Sequence, residues 1–277
     1  MTATVSQSNA EGLPSLASST DAMIRLTGQF WVPSCMMRAT PTAAKTRQVF
    51  AVLALNAGSL VSIMALGNEL WADRPPRSFI TTLQTYILQL RKFVIEDVDP
   101  KKLIERLYGG YRLNVEHSQV DVLRFKDALG RVRRGKDPQE LETEWTALQA
   151  ACLCLSGPFL PDMQLGGFLE SEMRGIEEGY LAALLRRYEI AITLQRPGEV
   201  MYDLTAMGER FPTNEGFARV RMLALHMLGR RTEAIEVFRV LRATLVGQFG
   251  LEPSDQVCVL HQEILRGAPP RELLCLL

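Results

Sequence analysis

Two adjacent glycines constrain the fold of this chain more than any other pair of residues. Gly109 and Gly110 lie in the segment KKLIERLYGGYRLNV, between two short stretches that read as extended chain. A Gly-Gly pair readily takes the positive φ angles of a tight turn, so the segment predicts a β-hairpin. Three helical patterns precede this hairpin, and together they predict a compact module of three helices closed by two strands.

The three helical patterns are recognised from their apolar spacing and from their start and stop signals. The first, in AAKTRQVFAVLALNAG, carries an apolar stripe that ends at Gly58. The second runs from a Ser62 cap through Trp71. The third spans residues 78–94, SFITTLQTYILQLRKFV, with Ser78 as the predicted cap.

The third helical pattern has two unlike faces. One face consists of apolar residues that recur every three or four positions and are expected to pack on a core: Ile80, Leu83, Ile87, Leu90 and Val94. The other face carries hydroxyl, amide and basic side chains, and no carboxylate occurs anywhere in the stretch. Because carboxylates repel phosphate, this composition is what a helix needs in order to lie in the major groove of DNA.

Two sets of residues are predicted to contact DNA. The set predicted to reach base edges is Thr81, Thr85, Leu88 and Gln89. Gln89 is the first choice because its amide can bond adenine at two points, while Thr85 and Leu88 can press methyl groups on thymine. The set predicted to hold phosphates is Lys45, Arg47, Arg74, Arg77, Ser78, Arg91, Lys92, Arg106 and Arg112. The alternative is a helix that faces solvent or a protein partner and lacks acidic residues by chance.

Charge is unevenly distributed along the chain. Residues 38–112 hold 11 basic and 6 acidic residues, whereas residues 119–277 hold 19 basic and 22 acidic residues. A basic first module joined to a mildly acidic second one suggests that only the first meets a polyanion. The excess is modest, and ordinary solvation also explains it.

After the hairpin, the strand signals vanish and helical periodicity takes over. The pattern predicts helices near 121–134, 138–155, 168–194, 198–210, 214–228, 231–247 and 253–266. The last part has the layout of a helix-hairpin repeat, with Leu228-Gly229 between two helices, Ala234 at a close contact, Phe238 as filler and Pro253 opening the next helix. The segment before it resembles a more degenerate unit of the same kind.

The start of the chain is predicted to hold a tail and two strands. Residues 1–22, rich in Ser, Ala and Thr, are expected to form a flexible tail. Residues 23–31 and the segment CMMRAT alternate roughly between apolar and polar side chains, which predicts short strands of a small antiparallel sheet. The N-terminus lacks a signal-peptide pattern, and no apolar run approaches the length of a membrane helix. We therefore expect a cytoplasmic protein without a membrane partner.

Catalytic, cofactor and metal functions find little support in the sequence. No G-x-S-x-G, H-E-x-x-H, P-loop or dinucleotide motif is present, so we expect neither an enzyme nor a cofactor. The five cysteines are scattered, which argues against a disulfide framework and for a reducing compartment. Cys152 and Cys154 form a C-x-C pair, but no histidine lies near them in sequence to complete a zinc site.

Several segments resemble one bacterial family. NAGSLVS, LWADRPPRS, TLQTYILQLRK and GGYRLNV are similar to the OmpR/PhoB-type winged-helix domain at the head of Streptomyces antibiotic regulatory proteins. VDVLRFKDAL, LGRRTEAIEVFRVLRATL and GLEPSDQVCVLHQEIL are similar to the bacterial transcriptional activator domain of the same family. The resemblance implies a mixed fold, with an N-terminal α+β winged helix-turn-helix domain at 23–118. An all-α, TPR-like helical-repeat domain would follow at 119–277.

The resemblance also implies a function. Such a protein would activate transcription of a secondary-metabolite, that is antibiotic, gene cluster. It would bind direct repeats of double-stranded DNA near the promoter −35 element as a homodimer and recruit RNA polymerase holoenzyme. Residues 78–94 would be the recognition helix, and the loop WADRPPR would touch polymerase or the neighbouring protomer.

One departure from the family pattern affects the hairpin. Leu107-Tyr108 stands where relatives often have Arg-Gly at the tip, and an arginine there would favour a narrow minor groove. The hairpin therefore lacks the residue that would favour its insertion into the minor groove. The competing interpretation of the whole chain is an adapter, in which the TPR-like repeats bind a protein and the winged helix only packs.

Overall fold

A computed structural model of the chain describes residues 24–29, 41, 43–72, 74–92, 99–161 and 163–277. An N-terminal module of short helices and a three-stranded sheet is followed by a region of longer helices, the helical region. The predicted tail, the segment CMMRAT and the end of the predicted strand 23–31 lie outside the described residues.

Three helices begin the N-terminal module: α1 (Ala44–Leu55), α2 (Ile63–Trp71) and α3 (Phe79–Lys92). The α2 helix starts at the predicted cap, since the Ser62 hydroxyl accepts a hydrogen bond from the Ala65 amide at 3.0 Å. Past the end of α1, Gly58 has a φ of +75° and donates its N–H to the Leu113 carbonyl at 2.8 Å. These bounds confirm the three predicted helices.

The predicted hairpin is present and belongs to a three-stranded antiparallel sheet. Its strands are β1 (Val61–Ser62), β2 (Ile104–Leu107) and β3 (Gly110–Leu113), in the order β1-β3-β2. Gly109 has a φ of +81°, whereas Gly110 is required because a Cβ there would lie 2.1 Å from the Val61 carbonyl oxygen. The β1 strand and the short helix α4 (Pro100–Leu103) were not predicted.

The described part of the first predicted strand, residues 24–29, does not pair with this sheet. It makes one parallel bridge from Ile24 to Val120 and one antiparallel bridge from Thr27 to Phe159. The Asp121 carboxylate accepts the N–H groups of Leu26 and Thr27 at 2.9–3.1 Å. Because those two donors are already satisfied, they are not free to continue a strand ladder.

The helical region contains the seven helices that the sequence predicted: α5 (Asp121–Arg131), α6 (Pro138–Cys152), α7 (Gly167–Thr193), α8 (Pro197–Arg210), α9 (Glu215–Met227), α10 (Arg231–Phe249) and α11 (Asp255–Arg266). Gly229 turns the chain between α9 and α10 with a φ of +75°, and Ala234 is fully buried where these helices pack. Short 3-10 helices lie at His117–Gln119 and Pro270–Leu276.

Two hydrophobic cores hold the molecule together. The second lies within the helical region and is centred on α8 to α11. The first joins α1, α2, α3 and the sheet, yet it also includes Val120, Phe125, Leu169 and Ile176. The apolar packing of the N-terminal module therefore continues past residue 118, and the predicted domain division at that position stays a prediction.

A buried ion pair ties α6 to α7. The side chain of Glu144 is almost fully buried, and its two oxygens accept from Nε and Nη2 of Arg186 at 2.8 and 2.9 Å. The Gly135 amide donates to the same carboxylate at 2.9 Å. Burial on its own would raise the pKa of Glu144, but Arg186 and the Gly135 amide outweigh it and hold the pKa below its usual value.

We predict that Glu144→Gln destabilises the protein by about 3 kcal/mol at neutral pH, because Arg186 loses its close partner and keeps only the 3.7 Å pair with Glu189. A depressed carboxylate pKa contributes stability above the unfolded pKa, and this contribution is lost as pH falls through the folded pKa. In urea unfolding, the free energy of unfolding of the wild type should therefore exceed that of Glu144→Gln, and this difference should decrease below about pH 4.5. Glu236→Gln, which breaks the exposed pair with Arg239, is the control and should change stability by less than about 0.5 kcal/mol. Equal losses in the two variants would contradict the prediction.

Candidate nucleic-acid interface

The inner face of α3 packs on the first core, largely as the apolar spacing predicts. Leu83, Ile87 and Leu90 are buried. The prediction for Ile80 is wrong, since this side chain is 46% exposed. In the first turn it is Phe79 that packs inward, with its ring centroid 6.2 Å from that of Trp71. Val94 lies outside the described residues.

The outer face of α3 is exposed and polar. Thr81, Thr85, Leu88 and Lys92 follow one another at helical spacing, and Gln89 lies beside them. We call these five residues the polar face of α3. All five are exposed, and α3 contains no acidic residue. The structure therefore brings the four predicted base-reading residues together on one accessible surface.

A hydrogen bond from α1 holds Gln89 in place. The Thr46 hydroxyl, fully buried on α1, donates to Oε1 of Gln89 at 2.8 Å. The amide oxygen is thus anchored to the protein, while the Nε2 group has no hydrogen bond among the residues described. A side chain fixed in this way loses less conformational entropy when it binds. Gln89 is consequently presented as a preorganised hydrogen-bond donor.

The Thr85 hydroxyl uses its proton inside the helix. It donates to the Thr81 carbonyl at 3.0 Å, four residues earlier. Its oxygen keeps lone pairs that can accept, and its methyl group is available for apolar contact. This state suits the predicted methyl contact with thymine better than donation to a base.

Four of the predicted phosphate-binding cations are exposed and have no hydrogen bond or ion pair within the described parts of the chain: Arg74, Arg77, Lys92 and Arg106. Arg74, Arg77 and the exposed Ser78 precede the first turn of α3. Lys92 ends α3, and Arg106 lies on β2. Free cations therefore lie at both ends of the polar face of α3 and on the hairpin.

Three other predicted phosphate-binding cations have partners within the protein. Lys45 donates to the Leu70 carbonyl at 3.2 Å and lies 4.7 Å from the centre of the Trp71 ring. Nε and Nη2 of Arg91 donate to the Ile104 carbonyl at 3.2 and 2.5 Å. For DNA binding, these side chains would first have to leave their present partners.

The third of these cations, Arg112, is paired across the hairpin. It faces Glu105 on β2, with 2.7 Å between Nη2 and Oε2. Hydrogen bonds from Arg112 and then from Asn114 lower the pKa of Glu105. The charge of Arg112 is thus compensated by a neighbouring carboxylate, and Arg47 is half-buried on α1. Phosphate binding by these two arginines stays a prediction.

Sequence reasoning missed two features of this surface. The first feature is a set of exposed apolar side chains. Tyr108 at the hairpin tip is fully exposed, and more than half of the surface of Leu60, just before β1, and of Met64, on α2, is exposed. The contact between Thr46 and Gln89 was also missed. Residue spacing within one helix carries no signal for it, because the two residues lie 43 positions apart on different helices.

Comparison with known proteins identifies the family. Residues 120–265 match the model of the bacterial transcriptional activator domain. Regulatory protein DnrI of Streptomyces peucetius is 37% identical over 83% of this chain and 87% of its own length. This chain belongs to the Streptomyces antibiotic regulatory protein family.

Other members are more distant. Transcriptional regulator RedD of Streptomyces coelicolor is 28% identical over 82% of this chain and 65% of its own length. The solved structure of Mycobacterium tuberculosis EmbR in complex with a low-affinity phosphopeptide has a TM-score of 0.76 at 23% identity. It matches 91% of this chain and 68% of the EmbR chain, which shows a shared fold.

Members of the Streptomyces antibiotic regulatory protein family are transcriptional regulators, not enzymes. Among the residues that the structure describes, no group of three metal-ligating side chains comes together. No helix in the same described residues is long and apolar enough to span a membrane.

We predict that Thr46→Val frees the Gln89 side chain without unfolding α1, because valine keeps the shape of threonine and the amide oxygen can turn to water. Nuclear magnetic resonance relaxation of the Gln89 side-chain amide should report increased motion. Affinity for a cognate duplex should fall by about 2–10-fold, from the entropy of fixing one side chain. In a Gln89→Ala background, Thr46→Val should have no further effect on affinity. A full additional loss in that background would show that Thr46 does not act through Gln89.

Proposed function

We propose that this chain is a sequence-specific DNA-binding activator of transcription, in which the N-terminal module is a winged helix-turn-helix and α3 is its recognition helix. The observation that carries the proposal is the polar face of α3, which is exposed and free of carboxylates while the opposite side of the helix is buried. A helix anchored on one side and uncharged or basic on the other can approach a major groove without repelling phosphate.

The free cations support the same docking. Arg74 and Arg77 precede the polar face of α3 and Lys92 ends it, so cations lie where a duplex along the helix would bring its phosphates. Arg106, on β2, would add a phosphate contact from the hairpin, which is the wing of the winged helix-turn-helix. Base edges would then be read by Gln89, helped by Thr81, Thr85 and Leu88.

The anchored amide of Gln89 refines the expected base contact. Pairing with adenine at two points uses both the amide oxygen and the amide nitrogen, and here Thr46 already occupies one lone pair of the oxygen. The second lone pair still permits the adenine contact, and the free Nε2 group can donate to an acceptor such as N7 or O6. We therefore propose that Gln89 reads a purine edge, with its nitrogen as the leading contact.

Membership of the Streptomyces antibiotic regulatory protein family supports a more specific role in transcription. We propose that the chain, acting in the bacterial cytoplasm, activates an antibiotic biosynthesis cluster. Two copies would bind direct repeats beside the −35 element and recruit RNA polymerase holoenzyme. In the loop WADRPPR, Ala72 and residues 74–77 are exposed between α2 and α3, which supports a contact of this loop with polymerase or the neighbouring copy. The division into a DNA-binding domain at 23–118 and a TPR-like activator domain at 119–277 is part of this proposal.

An adapter is the second candidate, and one observation favours it. A cleft of about 210 Å³ opens between α8, α9 and α10, and its lining combines apolar residues such as Phe211 and Val240 with the charged residues Arg221, Glu233 and Glu236. A groove of this kind can hold a peptide. If the chain bound duplexes weakly and without sequence preference, the adapter would be the better account.

We predict that Gln89→Ala weakens cognate duplex binding by about 1–3 kcal/mol and relaxes preference at one base position. Nuclease-protection titrations on promoters near the gene for this chain measure this, and they also report whether sites repeat about one helical turn apart. Gln139→Ala, an exposed glutamine on α6, should behave like the wild type. Unchanged affinity and base preference in Gln89→Ala would show that α3 does not read DNA in this orientation.

We predict that Lys92→Ala weakens all duplexes alike, because a phosphate contact carries no sequence information. The slope of log K against log salt should flatten by about 0.9 for one lost contact. Lys136→Ala removes the same charge from an exposed site in the helical region and should leave the slope unchanged. If both lysine variants flatten the slope equally, binding depends on net charge and the docking is wrong.

A further inference from the structure

We propose that Glu69 is a positioning residue that fixes the helical region in one orientation relative to α3, and that activation of transcription depends on it separately from DNA binding. This inference rests on the proposed function. Glu69, Gln48, Gly166, Phe168 and Leu169 form the contact, which we call the junction.

Glu69 is unusual in its own helix. It is the one charged residue in α2, whose sequence is IMALGNELW, and it is 5% exposed. No ion pair to it is formed within the described residues. A buried carboxylate without hydrogen bonds would be strongly destabilising, so its contacts must compensate for the water it has lost. A single acidic residue in an otherwise apolar helix is also the feature of the sequence from which the special role of Glu69 could have been predicted.

The compensation comes from the other module. Oε1 of Glu69 accepts from the Gly166 amide at 2.7 Å, and Oε2 accepts from the Phe168 and Leu169 amides at 3.0 and 3.4 Å. The Gln48 side chain on α1 completes the set by donating to Oε1 at 3.2 Å. Gly166 is the N-cap of α7, and the other two amides belong to the first turn of that helix. Glu69 therefore caps a helix that lies 97 residues further along the chain.

The N-terminus of α7 is built to receive this carboxylate. Its own N-cap residue, Gly166, has no side chain with which to cap the helix. A Cβ at Gly166 would lie 2.1 Å from the Glu69 carbonyl oxygen, so only glycine allows the two backbones to approach so closely. The positive end of the α7 dipole also favours a negative charge at this point. Separating the modules would leave α7 uncapped.

The junction also fixes the direction in which α7 extends from the N-terminal module. The α7 helix is 27 residues long and so extends about 40 Å from the junction into the helical region. A tilt of only 10° at its capped end would move its far end by about 7 Å over that length. At that end, α7 packs against α8 and α9, so the whole helical region follows its direction. Capping α7 from α2 thus sets where the helical region points when α3 is in the groove.

A second contact restricts rotation of the helical region about the junction. Asp121, at the start of α5, is buried and accepts from Leu26, Thr27 and the Thr27 hydroxyl. The Ser156 amide donates to that hydroxyl at 2.9 Å. Two separated points of attachment leave only rotation about the line that joins them, and the first hydrophobic core, which spans both modules, opposes that rotation. Glu69 remains the contact that links α2, and through it α3, to the long helix.

The test compares Glu69→Gln with the wild type in the full chain. The amide keeps the size of the side chain, but it removes the charge and turns N–H donors toward the N–H donors of α7. We expect affinity for the cognate duplex to stay within about two-fold, since the polar face of α3 is untouched. At saturating protein, transcription by purified RNA polymerase should fall by about five-fold or more, the lower end of ordinary coupling between sites. Hydrogen exchange at residues 166–169 should become faster.

Two further variants test whether the effect of Glu69→Gln is specific to the junction. Gly166→Ala disturbs the junction from the helical region without replacing any residue of α1, α2 or α3, because its Cβ would lie 2.1 Å from the Glu69 carbonyl oxygen; it should reproduce the loss of activation at unchanged affinity. Asp137→Ala is the matched control, because Asp137 caps α6 within the helical region by accepting from the Gln139 and Glu140 amides. It should leave both affinity and activation near the wild-type values.

The outcomes separate this inference from the proposed function. If Glu69→Gln loosens the amides of residues 166–169 yet activates fully, the junction does not position the helical region. If affinity and activation fall together in both junction variants, Glu69 only supports folding, and the inference is again overturned. A wild-type chain that neither binds a duplex nor activates would instead overturn the proposed function on which the inference rests.

Discussion

Two buried carboxylates that are satisfied by backbone amides across the module boundary are the interaction on which the rest of the structure depends. Glu69 reaches from α2 to the start of α7, and Asp121 reaches from the start of α5 to the segment 24–29. Burial raises the pKa of Asp121, and its hydrogen bonds to Leu26, Thr27 and Val122 oppose this rise. Most hydrogen bonds to Glu69 come from α7, and most of those to Asp121 come from the segment 24–29, so these distant parts of the chain stabilise one another. The first hydrophobic core extends across the same boundary and reinforces this dependence.

The polar face of α3 exists because the other side of that helix is held so firmly. Leu83, Ile87 and Leu90 are sealed into the core, while Arg91 binds the Ile104 carbonyl and ties the last turn of α3 to β2. With the helix fixed in this way, Thr46 can hold Gln89 from beneath. A contact surface built on a rigid element loses little entropy when it binds, which favours readout of a defined sequence over loose electrostatic adhesion.

Local patterns in the sequence predicted most of the fold, and non-local contacts account for what they missed. The ten longer helices begin and end close to the predicted residues, since apolar periodicity and capping act within a few positions. The β1 strand was missed because two residues are too few to show an alternating pattern, and only their pairing with β3 makes them a strand. Ile80 was assigned to the buried face because a helical wheel cannot show where the neighbouring helices end. The polar face of α3 followed from composition, whereas the partners of Lys45, Arg91 and Arg112 depend on residues distant in sequence.

A stiff connection between the modules would have a thermodynamic consequence for the proposed function, in which the chain brings DNA and RNA polymerase together. A flexible linker would let the helical region sample many directions, and each contact with polymerase would first have to restrict them. Here that restriction is already made on folding, because Glu69 caps α7 and the first core spans both modules. If α3 occupies a site on DNA as proposed, the exposed surfaces of the helical region would therefore be presented at one distance and one angle. Such preorganisation would convert the position of a DNA site into the position of a protein surface, which makes the placement of the site relative to the promoter decisive.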